Sequence, residues 1–337
     1  MTATTSASLA ETAQAIVADG KGILAADESF PTIKKRFDPL GIESTEDNRR
    51  DYREMLFRTP GAEKYIGGVI LFDETIRQDG ADGTPLVKLL QDRGIIPGIK
   101  VDKGAKPLAG HPDETVTEGL DGLRDRLNEY RELGARFTKW RAVYRIGDDI
   151  PTGACLSANA HALARYAALA QEAGLVPIVE PEVLMDGDHA IELCEVVTGE
   201  ALRSLYAELA VQEVELEGSL LKPNMVISGK DCAEQANVEE VAERTLRCLK
   251  RCVPAAVPGV VFLSGGQSDE LATEHLDAMN KMDRDLPWKL SFSYGRALQA
   301  APLKAWAGKT DNVGAGQDAF LVRAKANGEA ALGRHAA

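Results

Sequence analysis

The stretch LVPIVEPEV at residues 175–183 follows directly on ANAHALARYAALAQEAG at 158–174. The earlier segment is rich in alanine and leucine and stops at a glycine, the composition and ending of a helix. The later one is an apolar, β-branched run of the length of a buried strand. Ser157 is the expected N-cap of this helix and Gly174 its C′ residue.

The same unit recurs along the chain. Strand-like runs are GILAAD (22–27), IGGVILF (66–72), IIPGIKVD (95–102), RFTKWRAVY (136–144), SLLKPNMVI (219–227), GVVFLSGG (259–266) and KLSFSYG (289–295). Helical stretches are expected over 119–133, closed by Gly134, and over 201–217, closed by Gly218. Others are expected from a cap at Ser268 through Met279 and over 297–307. Eightfold alternation of strand and helix predicts an α/β protein of the (β/α)8 TIM-barrel type, with eight parallel strands. A doubly wound sheet fits less well, because no G-x-G-x-x-G follows the first strand. Pro97, Pro177, Pro181 and Pro223 fall inside the strand runs and are expected to mark strand ends or bulges. No linker interrupts the pattern, so residues 1–337 are expected to form one barrel domain, with 308–337 as a short C-terminal extension carrying one helix.

Lys and Arg number 39 against 52 Asp and Glu, a net charge of −13. So acidic a chain is a poor partner for nucleic acid or an anionic membrane, and any anion site on it must be a local cluster of cations. No apolar run approaches the roughly 20 residues of a membrane span. The start, MTATTSASLAETAQAIVADG, has neither a basic segment nor a sustained apolar core, so no secretory signal is expected. Five scattered cysteines without a C-x-x-C pair fit reduced thiols in a cytoplasm.

Barrel strands are normally filled by Val, Ile and Leu, yet nearly every strand here carries polar or ionisable residues near its C-terminal end. They are Asp27, Lys100 with Asp102, Lys139 with Arg141, Glu180 with Glu182, Lys222, Ser264, and Ser293 with Arg296. The pairs 100/102, 139/141 and 180/182 share parity, so each pair faces one side of its strand. One such residue alone is most simply a solvated rim charge or half of an ion pair. Together they predict a catalytic mouth, since buried charges must be paired or used, and active sites in this fold lie at the C-terminal face.

A partly desolvated lysine beside other cations loses its proton more readily, and a neutral amine can form a Schiff base with a ketone. Lys100, Lys139 and Lys222 are the candidates, with Lys222 mildly favoured by its dry neighbours Leu220, Leu221 and Pro223. Glu180 and Asp27 are candidate acid–base groups. The turn Ser264-Gly265-Gly266 ahead of a helix is a candidate phosphate cradle, with Arg296 beside it. TIKKRF (32–37) offers Lys35 and Arg36 for a second anion site, which together imply a substrate with two phosphates. The five histidines show no metal-ligand spacing; Asp188-His189 reads as a solvated loop element and Cys248 with Cys252 as helix core.

Eight motifs in order, GKGILAADES, IGGVILFDET, PGIKVDKG, KWRAVYRI, VEPEVL, LLKPNMV, LSGGQS and FSYGRALQ, resemble those of class I fructose-bisphosphate aldolases over nearly the whole chain. The resemblance implies a metal-independent cytoplasmic enzyme without cofactor, a homotetrameric (β/α)8 barrel acting on small sugar phosphates. The implied reaction is reversible cleavage of fructose 1,6-bisphosphate to dihydroxyacetone phosphate and glyceraldehyde 3-phosphate, in glycolysis and gluconeogenesis. It implies Lys222 as the Schiff-base residue, Glu180 as the acid–base carboxylate and Asp27 as acceptor of the C4 hydroxyl proton. Lys139 would orient hydroxyls and assist Lys222, with Glu182 and Lys100 as supporting charges. Ser264, Gly265, Gly266, Ser293 and Arg296 would bind the one-phosphate; Arg36, Lys35 and Arg141 would lie around the six-phosphate. After Ser29 the chain reads Phe-Pro-Thr where the family pattern has Thr-Gly-Ser, so a differently shaped loop is expected there. Animal-type members carry a terminal tyrosine that assists C3 proton exchange and favours bisphosphates. The last tyrosine here is Tyr294, and no counterpart of that tail is expected. Alternatives are a Schiff-base lyase for another ketose phosphate, such as fructose 1-phosphate, or a silent phosphosugar-binding barrel.

Overall fold

A computed structural model describes residues 3–336. Eight parallel strands close into a barrel: β1 (Gly22–Ala25), β2 (Ile66–Leu71), β3 (Ile96–Lys100), β4 (Phe137–Tyr144), β5 (Val176–Val183), β6 (Leu220–Leu221), β7 (Gly259–Phe262) and β8 (Lys289–Tyr294). Each lies within one of the runs read from the sequence. Neighbours pair in chain order, and β1 closes the ring on β8 through Ile23 opposite Ser293.

Alternation along the strands divides the core in two. Ile23, Ala25, Ile70, Phe137, Val176, Ile178, Leu220 and Val261 fill the inside of the barrel. The opposite faces pack on the surrounding helices, where Trp140, for example, stacks on Tyr166 with ring centroids 5.5 Å apart. The helix Ala3–Ile16 and the residue after it lay Leu9, Ala13, Ile16 and Val17 on the interior cluster. One end of the barrel is thereby plugged, and the C-terminal strand ends are left as the open mouth.

The inside is filled by pairing one large ring with two missing side chains. Gly98 lies opposite Phe137 across the β3–β4 ladder, and a Cβ on it would sit 2.3 Å from the Phe137 ring. A Cβ on Gly68 would come within 2.9 Å of the same ring. Gly98→Ala therefore overpacks a fully buried site; a loss of roughly 3 kcal/mol is expected, at the upper end for an inserted methyl group. A denaturant midpoint equal to the parent's would refute this packing account.

Three of the prolines lie within strands, while Pro223 falls just beyond the end of β6 as expected. Pro97 pairs with Val69, while Pro177 and Pro181 pair with Thr138 and Ala142 inside β5. The tolerance of the two in β5 follows from β6, which is only two residues long. The Val179 carbonyl accepts from the Lys222 amide, so the odd-numbered residues of β5 turn their backbone toward β6. Pro177 and Pro181 thus lack their N–H where almost no partner strand exists.

Helix boundaries moved where a better cap was available. The helix before β5 spans Gly153–Glu172 and is capped by Thr152, whose hydroxyl accepts from the Cys155 amide, so Ser157 is an interior residue. Gly174 does adopt the left-handed conformation after its end, with φ +74°. The helix expected over 119–133 begins only at Leu123, because Gly119 and Gly122 have positive φ. That expected over 201–217 runs from Ile191 to Val211, and a separate 3-10 turn at Leu216–Gly218 completes the segment. Ser268 caps Asp269–Met282 as expected, and Arg296–Trp306 and Val313–Ala330 follow.

Candidate active site

The strand ends surround a cavity of about 610 Å³ lined by Asp27, Lys100, Lys139, Arg141, Glu180, Glu182, Lys222, Ser264, Gly265, Gly266, Ser293 and Arg296. A larger recess of about 710 Å³ lies at the opposite strand ends, around Lys21, Pro258 and Lys289. Its charges are rim residues, and the convergent buried lysines and carboxylates are all at the C-terminal mouth.

Two adjacent strands supply the centre. Lys139 and Arg141 share a face of β4, and Glu180 and Glu182 share a face of β5, with Arg141 in register with Glu180. Lys222 is the first residue beyond β6, fixed by its amide bond to the Val179 carbonyl. Lys139 and Lys222 are each 4% exposed and Glu180 is 3% exposed, so none of these charges is hydrated as it would be on a surface. Glu180 compensates both lysines at once: Oε1 lies 3.1 Å from Lys222 Nζ and Oε2 3.2 Å from Lys139 Nζ. Lys139 Nζ also lies 2.6 Å from Asp27 Oδ2. Asp27, Lys139, Glu180 and Lys222 thus form a continuous chain of alternating charge.

The electrostatics follow from this packing. Burial alone pushes the Asp27 carboxyl up, but Lys139, Lys222 and Lys100 outweigh it and hold it far below the usual carboxylate range. Burial likewise pushes Glu180 up, and Lys139, Lys222 and Arg141 bring it below its ordinary value. Lys139 goes the other way: burial lowers it, while Asp27, Glu180 and Asp102 raise it above a free lysine. At neutral pH the free site therefore favours Lys139 as the ammonium and Asp27 as the carboxylate. Arg141 is ion-paired with Glu182, and Lys100 lies 3.5 Å from Asp102.

On the far side, Gly265 and Gly266 both have positive φ, +55° and +85°, just ahead of the helix opening at Ser268. A glycine turn directly ahead of a helix N-terminus leaves backbone amides to face one anion, the backbone form of a candidate cradle. Ser293 Oγ is buried in the same lining and has no hydrogen-bond partner among the described residues. Arg296 lines the cradle and makes no ion pair among the described residues.

Arg36 lines the cavity, but Lys35 does not join it. The helix Phe30–Phe37 buries Ile33 and Phe37 on one face. That face turns Arg36 toward the mouth and Lys35 to solvent. His189 also departs from expectation, being buried rather than solvated, and burial pushes its imidazole below the ordinary value. Cys248 is buried as expected, while Cys252 is half-buried. Among the described residues, no three His, Cys, Asp or Glu side chains converge as metal ligands.

Sequence reasoning missed Glu28. It is buried, ion-paired with Arg36 and 3.9 Å from the fully buried Arg53, and it accepts from Gln299 Nε2 at 2.8 Å. The signal was its place next to Asp27 in the run AADES, at the same strand end. Lys230, Asp186 and Met185 also line the cavity and carried no strand-end signal.

Fold and site together define a (β/α)8-barrel enzyme that presents a buried, carboxylate-bound lysine at its mouth. Comparison with known proteins is specific. The family described as Fructose-bisphosphate aldolase class-I matches residues 8–337. A Xanthomonas campestris protein named "Probable fructose-bisphosphate aldolase class 1" is 65% identical over 327 residues, 97% of this chain and 98% of its own. "Fructose-bisphosphate aldolase 6, cytosolic" of Arabidopsis thaliana is 57% identical over 316 residues, 94% of this chain and 88% of its own. The fructose-bisphosphate aldolase of Plasmodium falciparum, solved with TRAP and a small-molecule inhibitor, superposes with a TM-score of 0.98 at 49% identity, covering 100% of this chain and 97% of that one. The chain belongs to the class I fructose-bisphosphate aldolase family.

Proposed function

We propose that the chain cleaves fructose 1,6-bisphosphate reversibly to dihydroxyacetone phosphate and glyceraldehyde 3-phosphate, serving glycolysis and gluconeogenesis, and that Lys222 carries the reaction as a Schiff base. The observation that supports this best is Glu180, held between Lys222 and Lys139 with one oxygen on each. Lys222 must give up a proton before its nitrogen can attack the C2 carbonyl, and Glu180 is the base already in contact with it. The same carboxyl can return that proton to the carbinolamine oxygen, which leaves as water to give the iminium. The iminium withdraws the electron pair of the C3–C4 bond, and a base must remove the C4 hydroxyl proton as that bond breaks. Asp27 is an anion with this capacity, and Lys139 stabilises developing oxyanions without losing its own charge.

The Gly265–Gly266 cradle with Ser264, Ser293 and Arg296 suits the one-phosphate. Arg36, Arg141 and Lys100 supply cations for the six-phosphate, with Glu182 orienting Arg141. One barrel domain with residues 308–337 as an extension would contain the whole site. Association into a homo-oligomer would cover the exposed apolar pair Leu193 and Val196, one turn apart on the helix Ile191–Val211. A cytoplasmic location fits a relative named cytosolic.

Borohydride reduction in the presence of dihydroxyacetone phosphate, followed by peptide mass mapping, tests the reading. A stable adduct on Lys222 is expected. Bound ligand without an adduct would instead indicate a silent binding barrel.

A further inference from the structure

Most of the cations around the cavity are held by buried carboxylates: Lys139 and Lys222 by Glu180, Arg141 by Glu182 and Arg36 by Glu28. Lys230 is different. It lines the same cavity, yet its partner Asp186 is a rim residue and both side chains are half exposed, with Nζ 2.5 Å from Oδ1. A half-exposed pair of this kind is weak, so its ammonium can be transferred to a better anion at little cost.

Its backbone, in contrast, is fixed. Three hydrogen bonds tie residues 229–231 to 185–189: Gly229 N to His189 O at 2.8 Å, Lys230 N to Met185 O at 2.8 Å, and Asp231 N to Gly187 O at 3.0 Å. Met185 in turn abuts the phosphate cradle, since a Cβ on Gly266 would lie 2.9 Å from Met185 Sδ and 3.9 Å from Arg296 Nη1. A mobile ammonium is thus mounted on a rigid strap against the Gly265–Gly266 turn.

We propose that Lys230 is a specificity-determining residue, which leaves Asp186 on substrate binding and shares with Arg296 the phosphate seated at the Ser264–Gly265–Gly266 turn. The inference rests on the phosphosugar reading above. In a chain of net charge −13, a second cation at that turn favours a dianionic phosphate over a neutral hydroxymethyl group.

The test compares Lys230→Met and Lys230→Arg with the parent, using dihydroxyacetone phosphate and unphosphorylated dihydroxyacetone as probes. In Lys230→Met the dissociation constant for dihydroxyacetone phosphate is expected to rise about tenfold and that for dihydroxyacetone to stay unchanged. The loss in cleavage is expected in KM rather than kcat, and Lys230→Arg to recover most of it. Asp186→Asn, which frees the ammonium, is expected to tighten or preserve phosphate binding. Unchanged affinity in Lys230→Met, equal weakening for both probes, or weaker phosphate binding in Asp186→Asn overturns the assignment. Failure of the parent to form a trapped adduct defeats the functional reading itself. A trapped adduct with unchanged affinity in Lys230→Met defeats only the role of Lys230.

Discussion

Lys222→Met is expected to lower cleavage of fructose 1,6-bisphosphate by at least about 10⁴-fold, with dihydroxyacetone phosphate still bound. Methionine has nearly the volume of lysine and no nucleophile. The space beside Leu220, Leu221 and Pro223 is dry enough to accept it, so the barrel is expected to remain folded. Only the electron sink disappears. Steady-state cleavage assays beside a ligand-binding titration separate the two effects, and turnover within tenfold of the parent would show that another lysine performs the chemistry. Lys139 is the nearest rival, but its contacts with Asp27 and Glu180 hold it as an ammonium.

Glu180→Gln is expected to cost about 10²- to 10⁴-fold in kcat. It also removes the single negative charge between two buried lysines, and stability is expected to fall by about 3 kcal/mol, as when one partner of a buried ion pair is deleted. The sign of the effect on adduct formation discriminates two roles. Were Glu180 only a counter-charge, its removal would favour the neutral amine of Lys222 and the adduct would form faster. As the proton carrier, its loss leaves attack and dehydration unassisted and the adduct forms more slowly. Stopped-flow mixing with dihydroxyacetone phosphate, followed by rapid borohydride quench, reads that rate directly, and acceleration would refute the acid–base role.

The barrel was legible because its strands are local events. LVPIVEPEV and RFTKWRAVY announce strands whatever lies next to them, and their paired polar residues share parity on one strand. Lys139, Glu180 and Lys222 could therefore be placed at one mouth from spacing alone. The choice of Lys222 as nucleophile came from the family resemblance, since three lysines met the same physical criteria. Other features depended on contacts between distant segments. Lys35 and Arg36 are adjacent in the sequence, and their fates separate only because Ile33 and Phe37 fix the rotation of a short helix. Glu28 became a buried partner of Arg36 and Arg53 through packing that no strand pattern encodes. Ser157 lost its capping role to Thr152 because either residue could start the helix, and tertiary context chose between them.

Closure of the ring on itself has a temporal consequence. Ile23 has its partner in Ser293, and Asp27 near the start of the chain shares one cavity with Arg296 near its end. During synthesis the first strand must wait, one edge unpaired, until the eighth strand has left the ribosome. Catalytic competence is thus a late property of the nascent chain, acquired in one step when the last strand docks.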